Sequence, residues 1–352
     1  MEKSNRIFSL DLLRVVACLL VVWQHTSEFY YIPSSFRVEA NDNTFWVGIM
    51  TSIARTSVPL FVMITGYFLL PVSGAVSAFF RKRFTRILYP FIAWCVIYAA
   101  YYVFYRGDSL QQMWTNILHI PVNFGTQVGH LWYIYMLIGL YLLLPILSPW
   151  LQKASKRELQ GYLCLWGVTA LLPYLHLIFP EIWGECFWNP SPMLYYFTGF
   201  AGYLVAGYYL KTYGPLRPSV ATLLLLGGYA VTAIVFCSRI HEAEWINELE
   251  LSWGFCTLNV AAAATGIFSL FQSLSCKEGE HHPVGRLIGH MSQLSYGIYL
   301  AHIIVLNAYH DLFAHISSAP VAIPLIAFCT LATTYVAVWL LSLLPGRKYW
   351  LS

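Results

Sequence analysis

Ten stretches of mostly apolar residues follow one another along the chain, at 7–27, 47–70, 87–105, 131–150, 161–179, 193–211, 219–237, 252–272, 286–308 and 321–344. About twenty such residues, at a rise of about 1.5 Å each, cross the hydrocarbon core of a bilayer as a helix. Lipid offers no partner to a backbone N–H or C=O, so only helices and closed barrels span it. Barrel strands need about ten residues of alternating polarity, and these stretches are longer and continuous. The pattern predicts an all-α, polytopic membrane helix bundle of about ten transmembrane helices. No soluble segment, low-complexity linker or internal repeat interrupts it, so residues 1–352 are read as a single integral-membrane domain.

Charge adds orientation. Even-numbered loops and the two termini hold fifteen lysines and arginines, whereas odd-numbered loops hold three, Arg37, Arg106 and Arg239. The positive-inside rule then places both termini in the cytoplasm. The net charge of +4 is a consequence of that topology and does not point to nucleic acid. A basic flank precedes the first stretch, as in a signal peptide. That stretch is long, broken by charge and followed by no small-x-small cleavage site, so it is read as a retained helix. Most of the eight cysteines fall in or beside helices; Cys186 and Cys237 face outward, which leaves a disulfide between them open. No Cys/His spacing reads as a metal site.

The first stretch carries charge that a lipid-facing helix has no structural reason to hold. Asp11, Arg14 and His25 lie within it. At about 100° per residue the step from Arg14 to His25 is three turns plus roughly 20°, and Asp11 lies three residues before Arg14, so all three share a stripe. Ionisable groups inside a membrane mark a site or a pathway by default. Arg14 falls in the inner half of the helix and His25 about 16 Å further out. Glu28, one turn beyond, gives His25 a carboxylate neighbour, the pairing of a general base. Alone, His25 and Glu28 read as interface residues, and Asp11–Arg14 reads equally as a structural ion pair; it is their alignment that favours a site.

Four further groups stand out. Arg83 and Arg86, at the cytoplasmic start of the third helix, share a face and suit a phosphate, although basic flanking explains them as well. Arg55 lies about two turns below the outer surface, deep for a snorkelling side chain; the same helix holds Thr65-Gly66, a small pair that permits close helix approach. His130, Trp132 and Tyr133 open the fourth helix from outside, where aromatic residues form a belt or stack on a sugar; Trp183 and Trp188 share that outer face. Ser295, Tyr299 and His302 follow i, i+4, i+7 spacing on the ninth helix.

Together these pieces resemble the membrane acyltransferase-3 family of bacterial O-acyltransferases. The resemblance rests on Ser9-Leu10-Asp11-Leu12-Leu13-Arg14 with His25, an Arg-x10-His pattern, on Val58-Pro59-Leu60-Phe61 through Thr65-Gly66-Tyr67, on Arg83-x-x-Arg86, on His130-Leu131-Trp132, and on Ser295 through His302. The layout is most similar to the branch that O-acetylates enterobacterial common antigen. Thr65-Gly66 stands where the family usually has Ser-Gly, and no single residue matches the family's distal acidic partner of the histidine; Glu28 is taken for that role. The resemblance implies acyl transfer from cytoplasmic acyl-CoA, acetyl-CoA by default and succinyl-CoA as the alternative, to a hydroxyl of a glycan or lipid-linked saccharide across a bacterial inner membrane. Arg14, His25, Arg83 and Arg86 carry over as functional positions. Acyl-CoA and membrane lipid are the other expected partners, with no metal; direct transfer and an acyl-histidine intermediate both remain open, as does the oligomeric state.

Two other classes compete. A proton-coupled transporter or flippase can use the Asp11/Arg14/His25 stripe, but no pair of broken helices recurs in two halves of the chain. A membrane sensor without chemistry is opposed only by the resemblance.

Overall fold

The computed structural model describes residues 7–186, 189–192, 194, 197–274 and 282–351. Its elements are α1 (Phe8–Tyr31), α2 (Asp42–Thr51), a 3₁₀ turn (Ser52–Thr56), α3 (Ser57–Leu69), α4 (Val76–Tyr105), α5 (Leu110–Leu118), α6 (Phe124–Gln127), α7 (Trp132–Lys153), α8 (Lys156–Thr169), α9 (Leu172–Ile178), a short antiparallel pair β1 (Gly184–Cys186) and β2 (Asn189–Pro192), α10 (Ala201–Tyr213), α11 (Pro218–Arg239), α12 (Ile246–Leu249), a 3₁₀ turn (Glu250–Trp253), α13 (Leu258–Ser273), α14 (Pro283–Leu312), α15 (Ala319–Ser342) and a last 3₁₀ turn (Arg347–Tyr349). Local chemistry sets several starts. Ser155 and Glu158 form a capping box before α8, Asn41 caps α2 through the Thr44 amide, and Pro218 and Pro283 occupy the first turns of α11 and α14, where a missing N–H costs nothing.

The all-α polytopic membrane bundle is what the structure shows. Among the described residues seven helices are long and apolar enough to cross a membrane, or eight if the pair Ile246–Trp253 and Leu258–Ser273, bent by 42°, is one span. The two remaining predicted segments are α10 and α14. At 13 residues α10 is about 20 Å long, short of a bilayer core; Gly199, at φ +87°, lies two residues before it. The 30-residue α14 is long enough but carries Arg286, His290, His302 and His310. Trp188 lies outside the described residues, as do the side chains of Trp183 and Cys186; Cys237 is a free thiol.

The chain separates into two compact units. The first comprises residues 1–70, 154–293 and 304–331. Two close helix crossings organise it. On α3 and α10, a Cβ added to Gly66 would lie 2.1 Å from the Leu204 carbonyl oxygen, and one on Gly207 2.1 Å from that of Met63. On α11 and α13 the same reciprocity joins Gly228 to Asn259 and Gly266 to Ala221. Small residues let backbones meet this closely, and in lipid such packing drives helix association. Asn259 ties the second crossing to its surroundings: its Nδ2 donates to Thr232 Oγ1 and the Ser252 carbonyl, and its Oδ1 accepts from Tyr174, all at 2.7 Å.

Hydrogen bonds in this unit respect the predicted parity of the loops. Odd-numbered loops meet each other: the Val38 amide donates to the Glu244 carbonyl, and Asn43 Nδ2 to that of Ser317. Span ends that border even-numbered loops do likewise, with Lys211 Nζ donating to the Leu70 carbonyl and Gln272 Nε2 to that of Leu210. In addition, α1 and α14 run parallel. Ser292 bonds to Asp11, and eighteen residues further along both helices His310 stacks on Phe29 at 3.9 Å.

The second unit comprises residues 71–153, 294–303 and 332–352. Its α4 starts well before the predicted 87, so the basic run Arg81–Arg86 is helical; Phe80 stacks on Phe84 one turn along. Tyrosine hydroxyls tie α4 to α14, Tyr98 donating to the Leu300 carbonyl and Tyr296 to that of Ile87.

Candidate active site

The polar stripe of α1 is engaged at both ends by other elements of the first unit. At its inner end Arg14 Nη1 lies 3.3 Å from Asp11 Oδ1 and donates to Ser292 Oγ at 2.8 Å, while Ser292 donates to Asp11 Oδ1 at 2.5 Å. The guanidinium also stands 5.8 Å from the Phe68 ring. A single buried hydroxyl on α14 therefore locks the ion pair in place. We expect Ser292→Ala, which removes both of those bonds, to cost about 1–3 kcal/mol of stability, read as a lower unfolding temperature in detergent; an unchanged temperature would reduce the triangle to a loose contact.

At the outer end His25 Nδ1 is 3.0 Å from Glu28 Oε1. The His25 side chain is 14% exposed and that of Glu28 38%, so the carboxylate reaches solvent while the imidazole is largely sheltered. Carboxylate oxygens only accept, so the neutral imidazole bonds Glu28 by carrying its proton on Nδ1, and Nε2 then holds the lone pair of a base. One turn further, Tyr31 donates to a carboxylate oxygen of Glu250, and its ring meets that of Trp253 at 5.6 Å. Two carboxylates, Glu28 and Glu250, thus bond side chains of the outer part of α1.

Trp253 fixes this group. It is fully buried, stacks on Phe236 at 4.1 Å and donates its indole N–H to Ser52 Oγ at 3.0 Å. Its carbonyl accepts from Arg55 Nε at 2.8 Å, and the Arg55 guanidinium lies 4.5 Å from the Phe255 ring. A buried cation with Nε pinned to backbone and its guanidinium carbon over aromatic rings is held in place. Tyr31, Glu250, Trp253 and Ser292 were not singled out from the sequence. Glu250 belongs to no local sequence pattern, and only its tertiary contact with Tyr31 selects it.

The remaining predicted residues belong to the second unit. Arg86 lines a pocket on α4. Arg83 is half-buried beside the Phe79 ring and is not among that pocket's lining residues. His130 and His302 are buried. Their rings meet at 4.8 Å, Tyr299 donates to the His130 carbonyl, and His302 Nδ1 donates to the Tyr299 carbonyl at 2.7 Å. Trp132 is half-buried and packs edge-on to Tyr133.

Within the first unit the structure therefore brings together Asp11 with Arg14, His25 with Glu28, and Arg55 with the Glu250 group. Within the second it brings together His130, Tyr299 and His302, and separately Arg83 and Arg86. No curated protein and no solved structure matches the chain. A family model described as an acyltransferase domain matches residues 7–343, from the start of α1 to just beyond α15, and so takes in every residue of both groups. With its apolar helices and this match, the chain belongs to the acyltransferase-3 family and is a multi-pass membrane acyltransferase.

Proposed function

We propose that the protein transfers an acyl group, acetyl by default, from cytoplasmic acyl-CoA to a hydroxyl of a cell-envelope glycan or lipid-linked saccharide on the outer side of a bacterial cytoplasmic membrane. The whole chain acts as one acyltransferase domain with both termini inside. The observation that carries this reading is the 3.0 Å His25–Glu28 couple on a helix that also holds Arg14 and Asp11, within a chain whose family is acyltransferase.

In the proposed reaction His25 Nε2 takes the proton of the acceptor hydroxyl. The oxygen attacks the thioester carbonyl, and the oxyanion that forms is met by Arg55. Collapse breaks the C–S bond, and the departing thiolate takes the proton from the imidazolium. Glu28 holds the imidazole tautomer and offsets its charge while it is protonated. Arg14 and Asp11 set the inner end of the same helix. An acyl-histidine route uses the same residues, with Nε2 as nucleophile. Arg83 and Arg86 hold the donor's phosphates. Trp132, the more accessible of the acceptor-side residues, offers a face to a sugar ring, with His130, Tyr299 and His302 positioning it. Family membership sets the transporter reading aside.

The donor assignment is tested by saturable acetyl-CoA binding to the purified protein. Arg83→Ala with Arg86→Ala should weaken that binding by about tenfold or more with the protein still folded. Undiminished affinity would leave the two arginines as topology signals only.

A further inference from the structure

The early turns of α4 and the C-terminal 3₁₀ turn enclose a pocket of about 640 Å³ in the second unit. Arg81, Lys82 and Arg86 line it from α4, and Lys348 lines it from the C-terminal turn. No carboxylate side chain is among its lining residues within the described part of the chain. Tyr89 and Tyr349 complete it, their rings 5.7 Å apart at 63°, and Lys348 Nζ sits 5.0 Å from the Tyr349 ring.

Positive-inside flanking explains basic residues at the cytoplasmic end of a helix. It does not explain why a lysine from the far end of the chain is delivered to the same pocket. That delivery is built into the fold. Trp94 Nε1 on α4 donates to the Trp350 carbonyl at 2.9 Å, and Leu351 is buried, its side chain 2.8 Å from where Gly297 would carry a Cβ. The turn is thus anchored directly after the short segment that presents Lys348 and Tyr349. Four exposed cations lining one groove raise its positive potential and favour a bound anion. The exposed tyrosine pair adds a second requirement that inorganic phosphate does not meet, a flat ring to pack on. Few ligands combine several phosphates with a flat ring, and a nucleoside diphosphate does. The cavity volume lies within the usual range for such ligands, about 300–1,000 Å³.

We propose that this pocket takes the nucleotide end of the acyl donor, with Arg81, Lys82, Arg86 and Lys348 on its phosphates and Tyr89 and Tyr349 against its base. Lys348 and Tyr349 are then determinants of donor specificity, selecting a nucleotide-bearing thioester over a simpler one. The inference rests on the acyl-CoA reading above. The same phosphate chemistry is offered by an anionic lipid headgroup, which lacks the base.

The test uses the full-length protein in nanodiscs of zwitterionic lipid, with CoA and phosphopantetheine as probes. Lys348→Ala should weaken CoA binding about tenfold, and Tyr349→Ala about fivefold or more. Phosphopantetheine affinity and thermal stability should stay at wild-type values, which separates lost recognition from lost folding. Unchanged CoA affinity in both variants overturns the proposal while leaving the donor reading intact. Equal losses for both probes also overturn it, because the two residues then act away from the nucleotide. Wild-type protein that binds no CoA defeats the donor reading itself; ADP binding that depends on Lys348 would still support a nucleotide pocket, and its absence would overturn both. Phosphatidylglycerol binding that depends on Lys348, with CoA binding insensitive to it, assigns the pocket to a lipid headgroup instead.

Discussion

His25→Ala is expected to lower acyl transfer by about a thousandfold, within the usual range of about 10²–10⁴ for removing a general base, while acetyl-CoA binding and the melting temperature stay close to wild type. The expectation follows from placement. His25 sits within the unbroken α1, and its Nδ1 meets a carboxylate one turn away. The substitution deletes a proton acceptor while alanine, the best helix former, keeps the helix intact. Glu28→Gln provides the graded partner. It keeps the size of the side chain and its acceptor oxygen but removes the charge that offsets a protonated imidazole, so transfer should fall by about ten- to a hundredfold rather than vanish. Single-turnover assays with preloaded acetyl-CoA separate chemistry from donor binding. Transfer at the wild-type rate in His25→Ala would remove the base from α1, and the stripe would become architecture.

How much of this was legible beforehand depends on the range of the interaction. The helices were legible because lipid imposes one long apolar stretch per span, and each of the ten stretches corresponds to helix in the structure. The α1 stripe was legible because helical periodicity is local, and so was the close approach at Gly66, a residue whose smallness needs a reason. What the sequence hid is long-range. Ser292 meets Asp11 from 281 residues away, and Glu250 meets Tyr31 from 219; nothing in a one-dimensional pattern singles out that serine or that glutamate from its neighbours. The C-terminal turn was hidden for the same reason, because Lys348 reads as one more flanking cation until Trp94 and Trp350 are seen to hold it on α4. The upstream extension of α4 was masked by its arginines, which lower apolarity without breaking a helix, since arginine is a good helix former. The predicted start of α10 at 193 falls partly outside the described residues; within them the helix begins at Ala201, two residues after Gly199 at positive φ.

Gly66→Ala is expected to be among the most damaging single-atom-scale changes in the protein, and a neighbouring class of glycines makes the expectation sharp. The added methyl would stand 2.1 Å from the Leu204 carbonyl oxygen and 2.7 Å from the Leu204 Cα. Both obstacles are backbone, so no rotamer change relieves them. Either α3 and α10 move apart along the whole crossing or one helix distorts, and the reciprocal seat of Gly207 against Met63 is lost with the first. Overpacking of this kind costs about 1–3 kcal/mol and sometimes more. Because α10 is largely buried and packs mainly on α3, the strain falls on that crossing, and a value at or above the upper end is expected. Gly227→Ala on α11 is the control. Nothing lies within 4 Å of its Cβ position, so the same chemical change should leave stability unchanged or raise it by up to about 1 kcal/mol through helix propensity. Thermal unfolding of the two variants in one detergent decides the matter. Opposite signs confirm that backbone contact at the crossing, and not glycine content, holds α3 to α10. A Gly66→Ala protein as stable as wild type would mean that the crossing is loose and that the first unit is held by its side chains alone.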